Sequence, residues 1–289
     1  MDIGFIGFGE VGYEMAKGFR TQNDRNNVYV YDHLHDNPKT IEKAETTGAV
    51  LFNAPEKVAQ QPLDVLFTAV PASFTKEAWS SIESYLNKET MYIDLTTASA
   101  EVKKQISDSM IEKNQLFVDG AIMGPLKGNQ HQVPIMVSGN GAESFIEWGR
   151  KMEMNLEFVN ETPGDATNIK FIRSIFTKGL STLLHEVLET AAALDLEDTI
   201  LRSVTQTMDK EPFENILNRL ITGNVQHSER RVKEMENVAD FMLENHIEPV
   251  MTRATRDKLK AITESNIREA FMEKEPEDWK EIIHTMNQK

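Results

Sequence analysis

Cysteine is absent from all 289 residues, which excludes disulfides, thiolate metal sites and a thiolate nucleophile. The first ten residues also lack a basic n-region and a small-residue cleavage site, so the expected setting is cytoplasmic. Positive charge is scarce: 31 Lys and Arg stand against 46 Asp and Glu, a net charge of −15. That balance argues against sequence-independent nucleic-acid binding, while leaving room for a local basic pocket that holds a small anion. No apolar run approaches the roughly 18 residues of a membrane span, so no membrane partner is expected. His131, His246 and His284 show no metal-ligand spacing, and no metal is expected. Internal repeats of fixed period and low-complexity segments are missing as well.

The chain is long enough for two domains, each with its own core. Its first half alternates. Strand-like runs stand at Asp2–Ile6, Val28–Tyr31, Asp64–Val70, Met91–Leu95, Gln115–Val118, Pro134–Val137 and Leu156–Val159, with helical patterns between most of them. Such alternation predicts an α/β domain with a mainly parallel, Rossmann-type sheet covered on both faces. After Pro163 the pattern is helical only, with helices expected near 197–209, 212–221, 226–245, 249–263 and 276–286 and turn signals at Pro212, Gly223 and Pro276. The expected domains are therefore 1–162, binding a dinucleotide, and 163–289, an all-α domain for substrate and dimerisation.

A long helix is predicted over Pro163–Leu194, capped by Asp165 or Thr167. At about 100° per residue, Ile169, Ile172, Ile175, Phe176, Leu180, Leu183, Val187 and Leu188 form a broad apolar arc, as a buried helix requires. The remaining stripe carries Thr167, Lys170, Ser174, Thr177, Lys178, Ser181 and His185, with Arg173 at its edge and no carboxylate before Glu186. In so acidic a chain that stripe is either a wet face or a surface prepared for an anion.

Asp2–Ile6 runs into Gly7-Phe8-Gly9-Glu10-Val11-Gly12 and then a helical pattern. This is G-x-G-x-x-G in its strand-turn-helix setting. Gly7 makes the turn, Gly9 lets backbone approach a pyrophosphate, and Gly12 permits close helix packing, with the helix N-terminus facing the phosphates. Asp32, closing the second strand about 20 residues beyond the last glycine, is placed to accept hydrogen bonds from ribose hydroxyls. Its charge repels a 2′-phosphate, so NAD is the expected cofactor and NADP the second candidate. His33 and His35 either soften that preference or are surface residues.

These glycines, followed by Met15-Ala16, resemble the start of the β-hydroxyacid dehydrogenase superfamily, which includes 3-hydroxyisobutyrate and 6-phosphogluconate dehydrogenases. Val70-Pro71 is similar to the family's strand end beside the cofactor. Asp94-Leu95-Thr96-Thr97 resembles its D-x-S-T segment near the nicotinamide, and Asp119-Gly120-Ala121-Ile122-Met123-Gly124-Pro125 stands where the family has D-A-P-V-S-G-G. Gly164 and Lys170 match its glycine and catalytic lysine at the head of the interdomain helix. Two positions depart: Met123 replaces the serine that holds a substrate carboxylate, and Ser174 replaces an asparagine one turn after the lysine. Residues 122–125, 170–179 and 227–235 resemble a 6-phosphogluconate-dehydrogenase-like subgroup whose C-terminal helical domain has no assigned function. The resemblance implies cofactor contacts at Val70, Pro71 and Thr96, substrate contacts at Thr97, Met123 and Gly124, and a homodimer or higher homo-oligomer formed through the helical domain.

Hydride transfer to or from a carbon bearing a hydroxyl needs a second group that moves the hydroxyl proton, and Lys170 is the candidate general acid/base. Arg173 and Lys178 suit a substrate carboxylate or phosphate, and Ser174 can replace the missing asparagine as a polar contact. Arg231 projects inside the apolar arc of helix 226–245. It either pairs with Glu234 or Glu236, or completes the anion site together with His227 or Arg230. The leading reading is an NAD(P)-dependent oxidoreductase acting on a small acidic hydroxy acid or phosphorylated sugar acid. The alternatives are an imine reductase on the same fold and a dinucleotide-binding sensor or scaffold without turnover.

Overall fold

A computed structural model describes residues 1–288. The chain divides into two compact units, Met1–Ile175 and Phe176–Lys289. The first begins β1 (Asp2–Ile6), α1 (Glu10–Gln22), β2 (Asn27–Tyr31), α2 (Pro38–Thr47), β3 (Val50–Phe52), α3 (Pro55–Ala59) and β4 (Val65–Thr68). It continues through α4 (Thr75–Ile82), β5 (Met91–Asp94), α5 (Ala100–Ile111), β6 (Leu116–Ile122), β7 (Ile135–Ser138), α6 (Ala142–Lys151) and β8 (Leu156–Asn160). The opening turns of α7 (Asp165–Ala192) complete it; the division falls within that helix.

One eight-stranded sheet, in the order β3-β2-β1-β4-β5-β6-β7-β8, organises this unit. β1 to β6 run parallel, β7 joins β6 antiparallel, and β8 pairs parallel with β7. The chain reverses its winding between β1 and β4, the switch point outside whose strand ends such sheets bind ligands. The expected Rossmann sheet is present, with one strand more than the pattern showed: β3 is only three residues long and too short to display alternation. Each face has its own core. On one, Phe5, Phe19, Phe67, Phe145 and Trp148 pack together; on the other, Leu63, Leu66, Trp79, Ile82, Tyr92 and Phe117 do.

The second unit is helical: the rest of α7, α8 (Glu197–Met208), α9 (Phe213–Glu244), α10 (Val250–Glu264) and α11 (Trp279–Asn287). Helices expected at 212–221 and 226–245 are one continuous helix, because Gly223 is not a stop. The Arg231 guanidinium lies back along the helix over Gly223, and its Nη1 donates to Asn224 Oδ1 at 2.5 Å. The core of this unit is small, centred on Val225, Ile267 and Ile282.

The apolar arc of α7 is not buried as its periodicity predicts. Ile172, Ile175, Phe176, Leu180, Leu183 and Leu188 are exposed, Ile175 by 76%. Amphipathic spacing identifies the face that seeks cover; the surface that covers it need not belong to the same chain. α8 goes further: none of its residues is buried, and Leu201 and Val204 face solvent. Among the described residues no helix is long and apolar enough to cross a membrane.

Candidate functional site

β1 ends where Gly7 turns at a φ of 98°, with its N–H donating to the Tyr31 carbonyl at 2.8 Å. Only glycine fits twice in this turn. A Cβ on Gly7 would collide with the Ala69 carbonyl oxygen, and one on Gly12 with the Gly7 carbonyl oxygen. Gly9 is the opposite case: it is exposed, and nothing lies within 4 Å of where its Cβ would stand. Backbone there is open to a phosphate. Gly9 also caps α1 without a side-chain hydrogen bond, leaving the first-turn N–H groups to an anion.

Asp32 is built into this loop. Its Oδ2 accepts from the Phe8 N–H at 2.8 Å and its Oδ1 from the Leu34 N–H at 2.9 Å, with His33 Nδ1 3.3 Å from Oδ1. The Phe8 side chain is buried against Tyr13, and Val11 packs on the core, so both shape the loop through packing; Glu10 is exposed at the head of α1. Bare backbone, an uncapped helix N-terminus and an ordered carboxylate at the switch point fit a dinucleotide. Val70 and Pro71 follow β4, half-buried and exposed. Beyond them Phe74, 54% exposed, is an apolar surface that the sequence reading missed; a lone aromatic in a short connection carries no periodic signal.

Asp94, at the carboxyl end of β5, and Asp119, midway along β6, stand in register on adjacent strands, both fully buried. Lys103 of α5, also fully buried, lies between them: its Nζ is 2.7 Å from Asp119 Oδ1 and 3.3 Å from Asp94 Oδ1, and it donates to the Asp94 carbonyl at 3.0 Å. Trp79 Nε1 and the Thr96 N–H each donate to Asp94 at 2.8 Å. Asp119 accepts from the Thr167 N–H at 2.9 Å and from Thr167 Oγ1 at 2.7 Å. Ser138 Oγ donates to Asp119 at 3.3 Å and accepts from the Ala166 N–H at 3.1 Å. Lys103 carries no sequence signal, since its partners lie 9 and 16 residues away.

Lys170 sits one turn beyond Thr167 and is half-buried, as is Ser174 one turn further. Three- and four-residue spacing keeps Thr167, Lys170 and Ser174 on one helix face. Arg173 Nη1 donates to the Met123 carbonyl at 3.1 Å, and Met123 is fixed from its other side by its N–H to the Pro134 carbonyl at 2.8 Å. Gly124 packs beside Pro134. Thr96 is buried and its Oγ1 accepts from the Ala98 N–H at 3.3 Å, whereas Thr97 is exposed. In the first unit Lys170, Arg173 and Ser174 stand on the head of α7, Thr96 and Thr97 on the turn after β5, and Met123 and Gly124 on the connection after β6, with Arg173 and Met123 joined by a hydrogen bond.

Lys178, His227 and Arg231 belong to the second unit. Lys178 is exposed on α7. His227 lines an open cleft of 480 Å³ with Arg230, Lys233 and Arg268. Arg231 lines a separate cleft with Met235, Met251 and Lys258, so it and His227 are not brought together. Of the two acids expected beside Arg231, Glu234 and Glu236, Glu234 pairs instead with Arg230 at 2.8 Å. Glu186, which ends the acid-free stripe of α7, is buried and caps α10: it accepts from the Met251 N–H at 2.6 Å and from the Thr252 N–H and Oγ1 at 2.7 Å. Burial pushes its carboxyl upward, but the bonds from Thr252, Met251 and Val250 outweigh this and hold it below the ordinary value.

Residues 2–148 match the family described as the NAD binding domain of 6-phosphogluconate dehydrogenase, and residues 191–262 match a domain of unknown function (DUF1932). Among solved structures, a conserved protein of unknown function, described as structurally similar to 3-hydroxyacid dehydrogenases, is 31% identical. The alignment covers 93% of this chain and 99% of that one, with a TM-score of 0.62. The mitochondrial 3-hydroxyisobutyrate dehydrogenase of Drosophila melanogaster is 25% identical over 145 residues, 49% of this chain and 43% of that protein. An imine reductase from Myxococcus stipitatus in complex with NADP+ shares the fold at 13% identity and a TM-score of 0.75, covering 99% of this chain and 100% of that one.

Proposed function

This chain belongs to the β-hydroxyacid dehydrogenase superfamily, and from that premise we propose that it oxidises or reduces a small acidic hydroxy acid or phosphorylated sugar acid, with Lys170 as the general acid/base. Its cofactor is NAD(P), which when bound supplies or accepts the hydride. The glycine loop holds the pyrophosphate on backbone N–H groups, and Asp32 accepts hydrogen bonds from the ribose and favours NAD. Lys170 Nζ takes the substrate hydroxyl proton in the oxidative direction and returns it in the reductive one; the hydride carries the electron pair away from the same carbon. Arg173 attracts the substrate's anionic group.

The observation that carries this reading is the seat of Lys170. The head of its helix is bound through Thr167 to Asp119, which lies midway along β6 in register with the carboxyl end of β5, and the glycine loop follows β1 at the same end of the parallel strands. A screen of hydroxy acids and imines by nicotinamide absorbance tests it; cofactor binding with no turnover on any acid would overturn it. The second reading, imine reduction, is favoured by Met123, a thioether where a carboxylate-holding serine would stand in the family pattern. Turnover confined to imines in the same screen would establish that alternative.

The working form in this proposal is a homodimer. The exposed arc of α7, together with α8, in which no residue is buried, leaves Ile172, Ile175, Phe176, Leu180, Leu188, Leu201 and Val204 in water, a larger exposed apolar surface than a monomeric chain ordinarily carries. A second copy, presenting the same helices, covers it by self-complementary packing.

A further inference from the structure

We propose that Asp94, Lys103 and Asp119 form a positioning device: one buried ammonium fixes both the turn that carries Thr96 and the helix that carries Lys170. This deepens the reading above and rests on it for the role of Lys170.

Two register-paired aspartates on neighbouring parallel strands point to one face of the sheet, where like charges repel. Lys103 bridges them, yet a single ammonium leaves one net negative charge in a fully buried site. An ion cluster of this kind is a weak source of stability, since well-packed apolar residues often serve as well. What distinguishes it is where its other hydrogen bonds go. Asp94 Oδ1 accepts from the Thr96 N–H, holding the turn that follows β5. Asp119 receives two bonds from Thr167 and so caps α7 from a strand 48 residues earlier in the chain, its charge set against the positive end of the helix. Ser138 adds the Ala166 N–H to the same anchor. Because Lys170 follows Thr167 by three residues, the azimuth and depth of its side chain are set by this cap. Lys103, Asp119 and Thr167 are thus positioning residues.

Removing Lys103 would strand two buried carboxylates and unfold the domain, so the test works at the far end of the relay. Thr167→Val is nearly isosteric, keeps the backbone bond to Asp119 and deletes the hydroxyl bond; Thr167→Ser restores it. Two measurements on the full-length protein need no substrate: hydrogen exchange of the amides of 165–171, and the rate at which an amine-acylating reagent labels Lys170, followed across pH by mass spectrometry. In Thr167→Val we expect exchange in the first turn of α7 to rise about tenfold while the β1 and β4 amides are unchanged. Lys170 labelling should change by at least threefold, NADH affinity should stay within twofold, and Thr167→Ser should behave as wild type. On any substrate found in the screen, kcat should fall about tenfold with KM nearly constant. Wild-type exchange and labelling in Thr167→Val, or failure of Thr167→Ser to restore them, overturns the anchor. If exchange and labelling shift but Lys170→Met retains turnover, the anchor stands and the assignment of Lys170 as acid/base fails.

Discussion

Asp32 offers the most direct quantitative test. Its carboxylate is held by two backbone N–H groups, so it cannot swing aside to admit a 2′-phosphate. A phosphate of about −1.5 charge some 5 Å from a carboxylate, at an effective dielectric of about 40, is repelled by roughly 2.5 kcal/mol, or about 70-fold in affinity. NADH, in contrast, gains hydrogen bonds from its ribose hydroxyls to a charged acceptor. Asp32→Asn removes the charge while retaining an oxygen for the Phe8 N–H, so the loop stays formed and the electrostatic contribution is isolated. Fluorescence titration with both reduced cofactors should show wild type preferring NADH by about 70-fold or more, and Asp32→Asn bringing the two within a few-fold of each other. Tighter binding of NADPH by wild type, or an unchanged ratio in the variant, refutes the reasoning.

Lys170→Met should lower kcat at least roughly 100-fold while NADH affinity is unchanged; retention of more than about a third of wild-type kcat in stopped-flow assays would place the proton elsewhere. Glu186→Gln should cost about 1–2 kcal/mol at neutral pH, because one helix cap loses its charge and one acceptor. The folded carboxyl lies below its ordinary 4.5, so its contribution is complete above that pH and is lost as pH falls through the lower folded value. Urea unfolding of wild type and variant should therefore converge on acidification, and a pH-independent gap would count against the cap. Leu201→Glu with Val204→Glu, both on exposed positions of α8, should yield a folded monomer in light scattering at micromolar concentration where wild type is a dimer; a wild-type monomer would refute the assembly.

The nucleotide cleft could be read from sequence because its determinants are local: three glycines in six residues, a strand before them and a helix after, and an acid at the next strand's end. β3 and Lys103 were not legible for the opposite reason. Val50–Phe52 is too short to show a period, and a lysine whose partners are distant in sequence looks like any helix lysine. Gly223 gave a false break, since the residue that accounts for it, Arg231, lies two helical turns further along. In α7 the pattern identified an apolar face correctly but could not say what covers it. Thr167, read both as part of a polar stripe and as one of two capping candidates, lies inside the helix and is buried, and it is Asp119 of β6 that accepts from its N–H and hydroxyl, a partner 48 residues away that no local pattern could show.

The scant core of the helical unit has a bearing on how this protein comes into being. A sheet domain with a full core on each face can fold as it leaves the ribosome and hold its cofactor alone. In the proposed dimer, a unit centred on Val225, Ile267 and Ile282, with no residue of α8 buried, draws much of its stability from encounter with its twin. On dilution the two halves should therefore part company: cofactor binding persists, whereas the melting of the helices drifts downward with protein concentration, as mass action requires when the native form is an assembly.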